Sequence, residues 1–168
     1  MKKVKKCLCL LLCTVVFSSC ASLTGAKAPE EQRSYEQICE FEGQSKDDLF
    51  VKVNTWFVDA FNNPKSVIQY SDKEAGKIMG KYAFEYSEGV YTYAVLQTMS
   101  VDVQDGRIRL LIRDPQYKVA ADAFNGSASY INSQYRSMET QAGIDHARAE
   151  WELLFQSLKN SLGQDTSW

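Results

Sequence analysis

The sequence is poor in the residues from which active centres are most often built. It carries one histidine, His146, so any Ser-His-Asp or Cys-His arrangement has to be assembled around that single imidazole. Of its five cysteines, Cys7, Cys9, Cys13 and Cys20 sit in the first 20 residues and only Cys39 lies further on. Cys39 and His146 are too few for a Cys/His metal site, and no metal or other cofactor is expected. No glycine-rich phosphate-binding loop follows any apparent strand. Long apolar runs are missing too: the most hydrophobic stretch, Cys7 to Phe17, would form a helix of only about 16 Å, half of a bilayer core.

That short run is informative for what flanks it. Lys2, Lys3, Lys5 and Lys6 precede it and Ser18-Ser19-Cys20 follows, which is the layout of a secretion signal. Phe17-Ser18-Ser19-Cys20 resembles the lipobox of bacterial lipoprotein precursors, with Phe17 where an aliphatic residue is usual. The resemblance implies cleavage between Ser19 and Cys20 and lipid on the Cys20 sulfur. Two or three acyl chains would anchor the product durably in a membrane. A soluble secreted protein with a chance cysteine is the alternative.

Residues 1–19 are thus expected to be a signal peptide and 20–33 (Ala21 to Arg33 reading ASLTGAKAPEEQR) a lipidated flexible tether. Ala21 is not the aspartate that resembles an inner-membrane retention signal, and no acidic run follows Cys20, so the expected location is the outer membrane, facing the periplasm. Without residues 1–19 the chain keeps 15 basic and 21 acidic residues, a formal charge of −6 that argues against nucleic acid as a partner.

From residue 34 to 163 the pattern is that of one domain. Ser34 to Glu42 suits a strand. Ser45 opens a helix whose Leu49, Phe50, Val53, Trp56, Phe57 and Phe61 recur at helical spacing, and Asp47-Asp48 complement its N-terminal dipole rather than pair for catalysis. Asn62-Asn63-Pro64 stops it. Val67 to Ser71, Ile78 to Tyr86, Val90 to Gln104 and Arg107 to Arg113 then read as four strands joined by turns, with Asp105-Gly106 the strongest hairpin signal and Asp114-Pro115 the end. Residues 119–136 have no period and are expected to be a loop. Ile144, Ala147, Trp151, Leu154, Phe155, Leu158 and Leu162 define a second helix, capped by Ser137, Thr140 or Asp145 and ending at Gly163; residues 164–168 form a tail.

The order β-α-β-β-β-β-α, with one apolar face per element, is satisfied by a two-layer α+β domain: an antiparallel sheet of about five strands with both helices on one face. The segments LFVKVNTWF, SVIQYSDKEAGKIMGKYAF and VDVQDGRIRLLIRD resemble a domain of unknown function with a TATA-binding-protein-like fold that occurs in lipoproteins of Gram-negative gut bacteria. The resemblance spans residues 47–117. It implies a curved sheet with helices on the convex side; it does not imply DNA binding.

Arg107, Arg109 and Arg113 fall on the strand face opposite Ile108 and Leu110, with Thr92, Thr98 and Ser100 expected beside them. An anionic small ligand or an acidic envelope protein is the partner such a face would take; cross-strand pairing to Glu85 or Asp102 is the plainer account. Cys39 is expected to be buried and His146 solvated. The function expected from all this is a membrane-anchored, non-enzymatic binding module, the alternatives being a structural spacer or a hydrolase of envelope polymers.

Overall fold

The computed structural model describes residues 25–61, 67–122 and 134–163. Ser19 and Cys20, the turn at Asn62-Asn63-Pro64, most of the expected loop and the tail at 164–168 lie outside the described residues. The elements are β1 (Tyr35–Glu40), α1 (Lys46–Ala60), β2 (Ile68–Asp72), β3 (Lys77–Glu88), β4 (Tyr91–Gln104), β5 (Arg107–Asp122), β6 (Arg136–Ser137) and α2 (Gln141–Gly163), with a 3₁₀ turn at Glu30–Arg33 ahead of them. All the strands belong to one antiparallel sheet in the order β1-β5-β4-β3-β2, and β6 also pairs with β5. The protein is an α+β two-layer structure, as its element order implies.

Local chemistry fixes the ends of the elements. Ser45 Oγ accepts from the Asp48 amide at 3.1 Å, and Asp105, from the β4–β5 turn, accepts from the Lys46 amide at 2.8 Å, so two of the free amides at the start of α1 are satisfied. Gly106 has a φ of +70°, which the two-residue turn between Gln104 and Arg107 requires. Of the three caps considered for α2, Thr140 holds the position: its hydroxyl accepts from Gly143 N at 3.3 Å and its carbonyl from Ile144 N at 3.0 Å.

Period-two alternation sorts the sheet residues. Val95, Gln97, Met99, Val101 and Val103 of β4, with Ile108, Leu110 and Ile112 of β5, are buried beneath the helices. From α1 come Leu49, Val53, Trp56 and Phe57, and from α2 Ile144, Trp151, Phe155 and Leu158. Trp56 donates to Ser157 Oγ at 3.0 Å, joining the helices. Tyr35 donates to Glu152 at 2.6 Å and Tyr82 to Glu150 at 2.7 Å, tying the sheet to α2.

The structure corrects three sequence expectations. Residues 25–33 are not a free tether. Ala28 N donates to Glu139 O at 2.8 Å, Gln141 N to Ala26 O at 2.7 Å, Ala28 is buried, and Arg33 Nη2 reaches Ala28 O at 2.7 Å. The start of α2 carries amides that need acceptors, and this segment supplies one. Second, β5 does not end at Asp114-Pro115. Asp114 adopts a φ of +57° at a register shift between Leu96 and Thr98, a bulge in which a proline is tolerated, and the strand runs on to Asp122. Residues Val119 to Asp122 and Arg136, expected in a loop, and Ser137, one of the caps considered for the second helix, are therefore strand. Third, Cys39 is only half-buried, because β1 lies at the end of the strand order with β5 on one flank and no described strand on the other.

Candidate functional site

The face of the sheet away from the helices is where the sequence placed a binding surface. The register brings Ile38 of β1, Arg109 of β5, Asp102 of β4 and Lys77 of β3 into one transverse row, because each is opposite the next. Asp102 receives Arg109 through Nε at 3.1 Å and Nη2 at 2.7 Å, and Lys77 through Nζ at 3.1 Å. Glu36 adds a second carboxylate to Arg109 at 3.5 Å. Burial pushes the Asp102 carboxyl up, but the hydrogen bonds and charges of Arg109 and Lys77 outweigh it and hold the group below the ordinary carboxylate value. Asp102, not Glu85, is thus the cross-strand partner.

The next row pairs Arg107 with Gln104, whose Oε1 accepts from Arg107 Nε at 2.9 Å. Between the two rows lies a hollow of about 370 Å³ that includes Ile38, Asp102, Gln104, Arg107 and Arg109. Ile38 is 56% exposed, an apolar side chain beside two guanidinium groups.

The three arginines do not form one cluster. At about 3.4 Å per residue, Arg113 is roughly 20 Å from Arg107 along β5, and its neighbours are Thr98 across the strand pair and Asp114 at 3.7 Å. Thr98 and Ser100 do share this face, opposite Arg113 and Leu111; Thr92 is far away, opposite Ala121. Ile38 and Gln104 were not singled out in the sequence. Their signal was register: once Tyr35 and Ile108 are placed inward, alternation turns Ile38 outward beside Arg109.

A second concentration of side chains lies at the far end of the helix-side face. Tyr82, Phe84 and Tyr86 follow one another along β3, and Tyr86 stacks against Tyr93 with ring centroids 5.1 Å apart, which in turn meets Tyr117 at 5.9 Å. His146 is exposed, as expected, yet it stacks on Tyr86 at 4.3 Å. Burial, with Glu88 and neighbouring phenols adding to it, pushes Tyr86 up to about 12. Among the described residues His146 makes no hydrogen bond to a nucleophilic side chain. Among the described residues no group of three His, Cys, Asp or Glu side chains is placed to hold a metal ion.

A two-helix layer on an antiparallel sheet, with a charge-paired polar face opposite, defines an α+β protein of TBP-like fold. The model of DUF4468, a domain of unknown function with a TBP-like fold, matches residues 35–118, half of the chain, and the chain belongs to this family. The match agrees with the resemblance noted in the sequence and extends it back to include β1. In structure the chain is similar to a TBP-like protein from Parabacteroides distasonis (TM-score 0.56, 15% identity, covering 80% of this chain and 97% of that one). It is similar also to a DUF4468 family protein from Bacteroides ovatus (TM-score 0.55, 15% identity, covering 86% and 95%). At such identity these likenesses establish the fold alone. No curated protein matches the chain.

Proposed function

We propose that this protein is a lipid-anchored module of the bacterial cell envelope, without catalytic activity of its own, that binds an acidic segment of another envelope protein at the Ile38–Arg107–Arg109 hollow. The observation that carries the binding site is the placement of an exposed isoleucine beside two arginines on a rigid sheet face. Such a combination suits a partner that presents a carboxylate next to an apolar side chain. Arg107 spends two of its N–H groups on Gln104, which leaves it three further donors for a carboxylate.

Anchoring rests on the Ser18-Ser19-Cys20 signal. If Cys20 carries the lipid, only the four residues before Gly25 separate it from the docked segment, a reach of about 18 Å when fully extended. The domain would then lie close to the bilayer, which favours a docking module over a long-range spacer. Labelling of the protein by fed palmitate, lost in Cys20→Ala, tests the anchor; an unlabelled protein in the soluble periplasmic fraction overturns it.

The binding site is tested by a photo-crosslinking residue at Ile38 in intact cells. A discrete crosslinked protein is expected, and Arg107→Glu with Arg109→Glu should abolish it while leaving the fold intact. Adding Arg113→Glu should have little further effect. Crosslinking unchanged by the arginine substitutions overturns the site.

A further inference from the structure

Of residues 25–33 only Ala28 is buried, and among the described residues each hydrogen bond and ion pair that ties the segment to the rest of the chain ends between Glu139 and Arg148. Lys27 faces Thr140 in a single antiparallel bridge, flanked by Ala28 N donating to Glu139 O at 2.8 Å and Gln141 N donating to Ala26 O at 2.7 Å. The Glu139 carboxylate also meets Lys27 at 2.9 Å and Arg33 at 3.5 Å, so one residue grips the segment by main chain and side chain alike. Gln32 completes the attachment, accepting from Gln141 Nε2 on its side chain at 3.0 Å and from Arg148 Nη1 on its carbonyl at 3.4 Å.

The structure on either side is held without this segment. Tyr35, which begins β1 opposite Ile112, is buried and bonded to Glu152. Met138 N donates to Pro115 O at 2.8 Å, and Thr140 caps α2 through Gly143 N and Ile144 N. Removal of the segment strands no deeply buried polar group: the Gln141 amide lies in the first turn of α2 between exposed Thr140 and Ala142, where water can replace the Ala26 carbonyl.

We propose that residues 25–33 are a strap that opens as one unit while the sheet and both helices stay folded, with Glu139 as its latch. Docking has to overcome the entropy of ordering the whole segment, and sets against it one buried methyl group, a few hydrogen bonds and two ion pairs between partly exposed side chains. That margin is far smaller than the one holding the core, so the strap opens much more often than the domain unfolds. What opening achieves rests on the lipid anchor proposed above. With lipid on Cys20, release lengthens the tether from the four residues before Gly25 to the thirteen before Ser34, and the extended reach from about 18 Å to about 50 Å. The Ile38–Arg107–Arg109 hollow then serves partners well away from the bilayer as well as those beside it.

Residue-resolved amide exchange of the full chain in detergent tests the opening itself. Ala28 N and Gln141 N, which donate in opposite directions across the bridge, should be protected to a similar degree, yet exchange at least about a hundredfold faster than Met99 to Val103 of β4, a strand paired on both flanks. Glu139→Gln keeps the carbonyl but loses both ion pairs, and should speed the two amides about fivefold while leaving β4 unchanged. Lys27→Cys with Thr140→Cys, in a Cys39→Ser chain, should link under mild oxidation and slow Ala28, because a pair flanked by its hydrogen bonds has Cα atoms about 4.5 Å apart. Unprotected amides, amides that exchange only together with β4, or rates that Glu139→Gln leaves unchanged overturn the strap. Neutron reflectometry of the chain on a supported bilayer reads the reach: Glu139→Gln should raise the mean height of the domain and the disulfide should lower it. Equal heights in a palmitate-labelled chain overturn the tether role, whereas a chain that opens but takes no palmitate overturns the anchor and leaves the strap standing.

Discussion

Trp151, at the centre of α2, donates its indole N–H to Oε1 of Gln97 in the middle of β4, and both side chains are almost fully buried. The other end of the same amide, Nε2, has no partner among the described residues. One hydrogen bond therefore fastens the helix layer to the sheet at the cost of an orphaned donor beside it.

Gln97→Leu removes the orphan but leaves the indole N–H without an acceptor, and Trp151→Phe does the reverse while also opening space. Each single change is expected to lower stability by about 1–3 kcal/mol, with Trp151→Phe at the upper end. The double variant should lose clearly less than the sum, since neither buried polar group is then stranded. Urea unfolding of the four chains measures the coupling; strict additivity would show that the bond contributes nothing.

Gly80 lies against the residue that leads into β2: an added Cβ would be 2.4 Å from the Val67 carbonyl oxygen. The neighbour is backbone and has no rotamer into which to retreat. Gly80→Ala should cost about 2–3 kcal/mol or detach β2, seen as lost amide protection over Ile68 to Asp72. Gly43→Ala is the contrast, for nothing lies near its Cβ position and only its positive φ of +78° opposes the change. It should cost about 1–2 kcal/mol, the strain of the left-handed backbone alone.

The row Arg109–Asp102–Lys77 makes stability depend on acid. The carboxyl of Asp102 is held below its unfolded value, so its contribution is complete above the ordinary carboxylate range and is lost as pH falls through the folded value. Asp102→Asn should be less stable than the parent at neutral pH, and the gap should close as the medium is acidified. Unfolding midpoints across that range test this, and a constant gap would separate the ion pair from the pH dependence.

At the alkaline end Tyr86 is the group to watch. Its phenol is raised to about 12 in the fold, against about 10 for an unfolded tyrosine, so folding is favoured below about 10 and that advantage disappears towards 12. Tyr86→Phe is expected to flatten the alkaline fall in stability. Phenolate absorbance should show one late-titrating tyrosine fewer in the variant. Tyr82 and Tyr35, raised further by burial and by their bonds to Glu150 and Glu152, should ionise only as the chain unfolds.

Replacing Ser45 by alanine removes the acceptor for Asp48 N at 3.1 Å. A loss of about 1 kcal/mol is expected, softened because Asp105 still accepts from Lys46 N. Thermal unfolding measures it. Ser45→Ala combined with Asp105→Ala should approach twice the single loss, as each cap serves a different amide.

Elements with a strong local period were legible. The α1 stripe from Leu49 to Phe57, the Asp105-Gly106 hairpin and the α2 stripe from Ile144 to Leu162 lie where the apolar spacing put them, because in each case local preference and burial agree. The strand end at Pro115 was misread because a proline's missing donor forbids only a paired position, and the Asp114 bulge supplies an unpaired one. The docking of Ala26 and Ala28 was invisible, as it depends on the amides and carbonyls near the start of α2, more than a hundred residues away.

The candidate site divides in the same way. That Arg107, Arg109 and Arg113 share a face follows from alternation alone, and so does their opposition to Ile108 and Leu110. Which of them act together does not. Strand register set Asp102 and Glu36 against Arg109, brought Ile38 and Gln104 into the same hollow, and left Arg113 roughly 20 Å along the strand from Arg107. By itself the sequence determined the class of fold and the facing of each residue, because both arise from short-range periodicity and the need to bury apolar stripes. Only the tertiary structure decided which charges meet, where the Asp114 bulge falls and how residues 25–33 are held, because these depend on pairings between segments far apart in the chain.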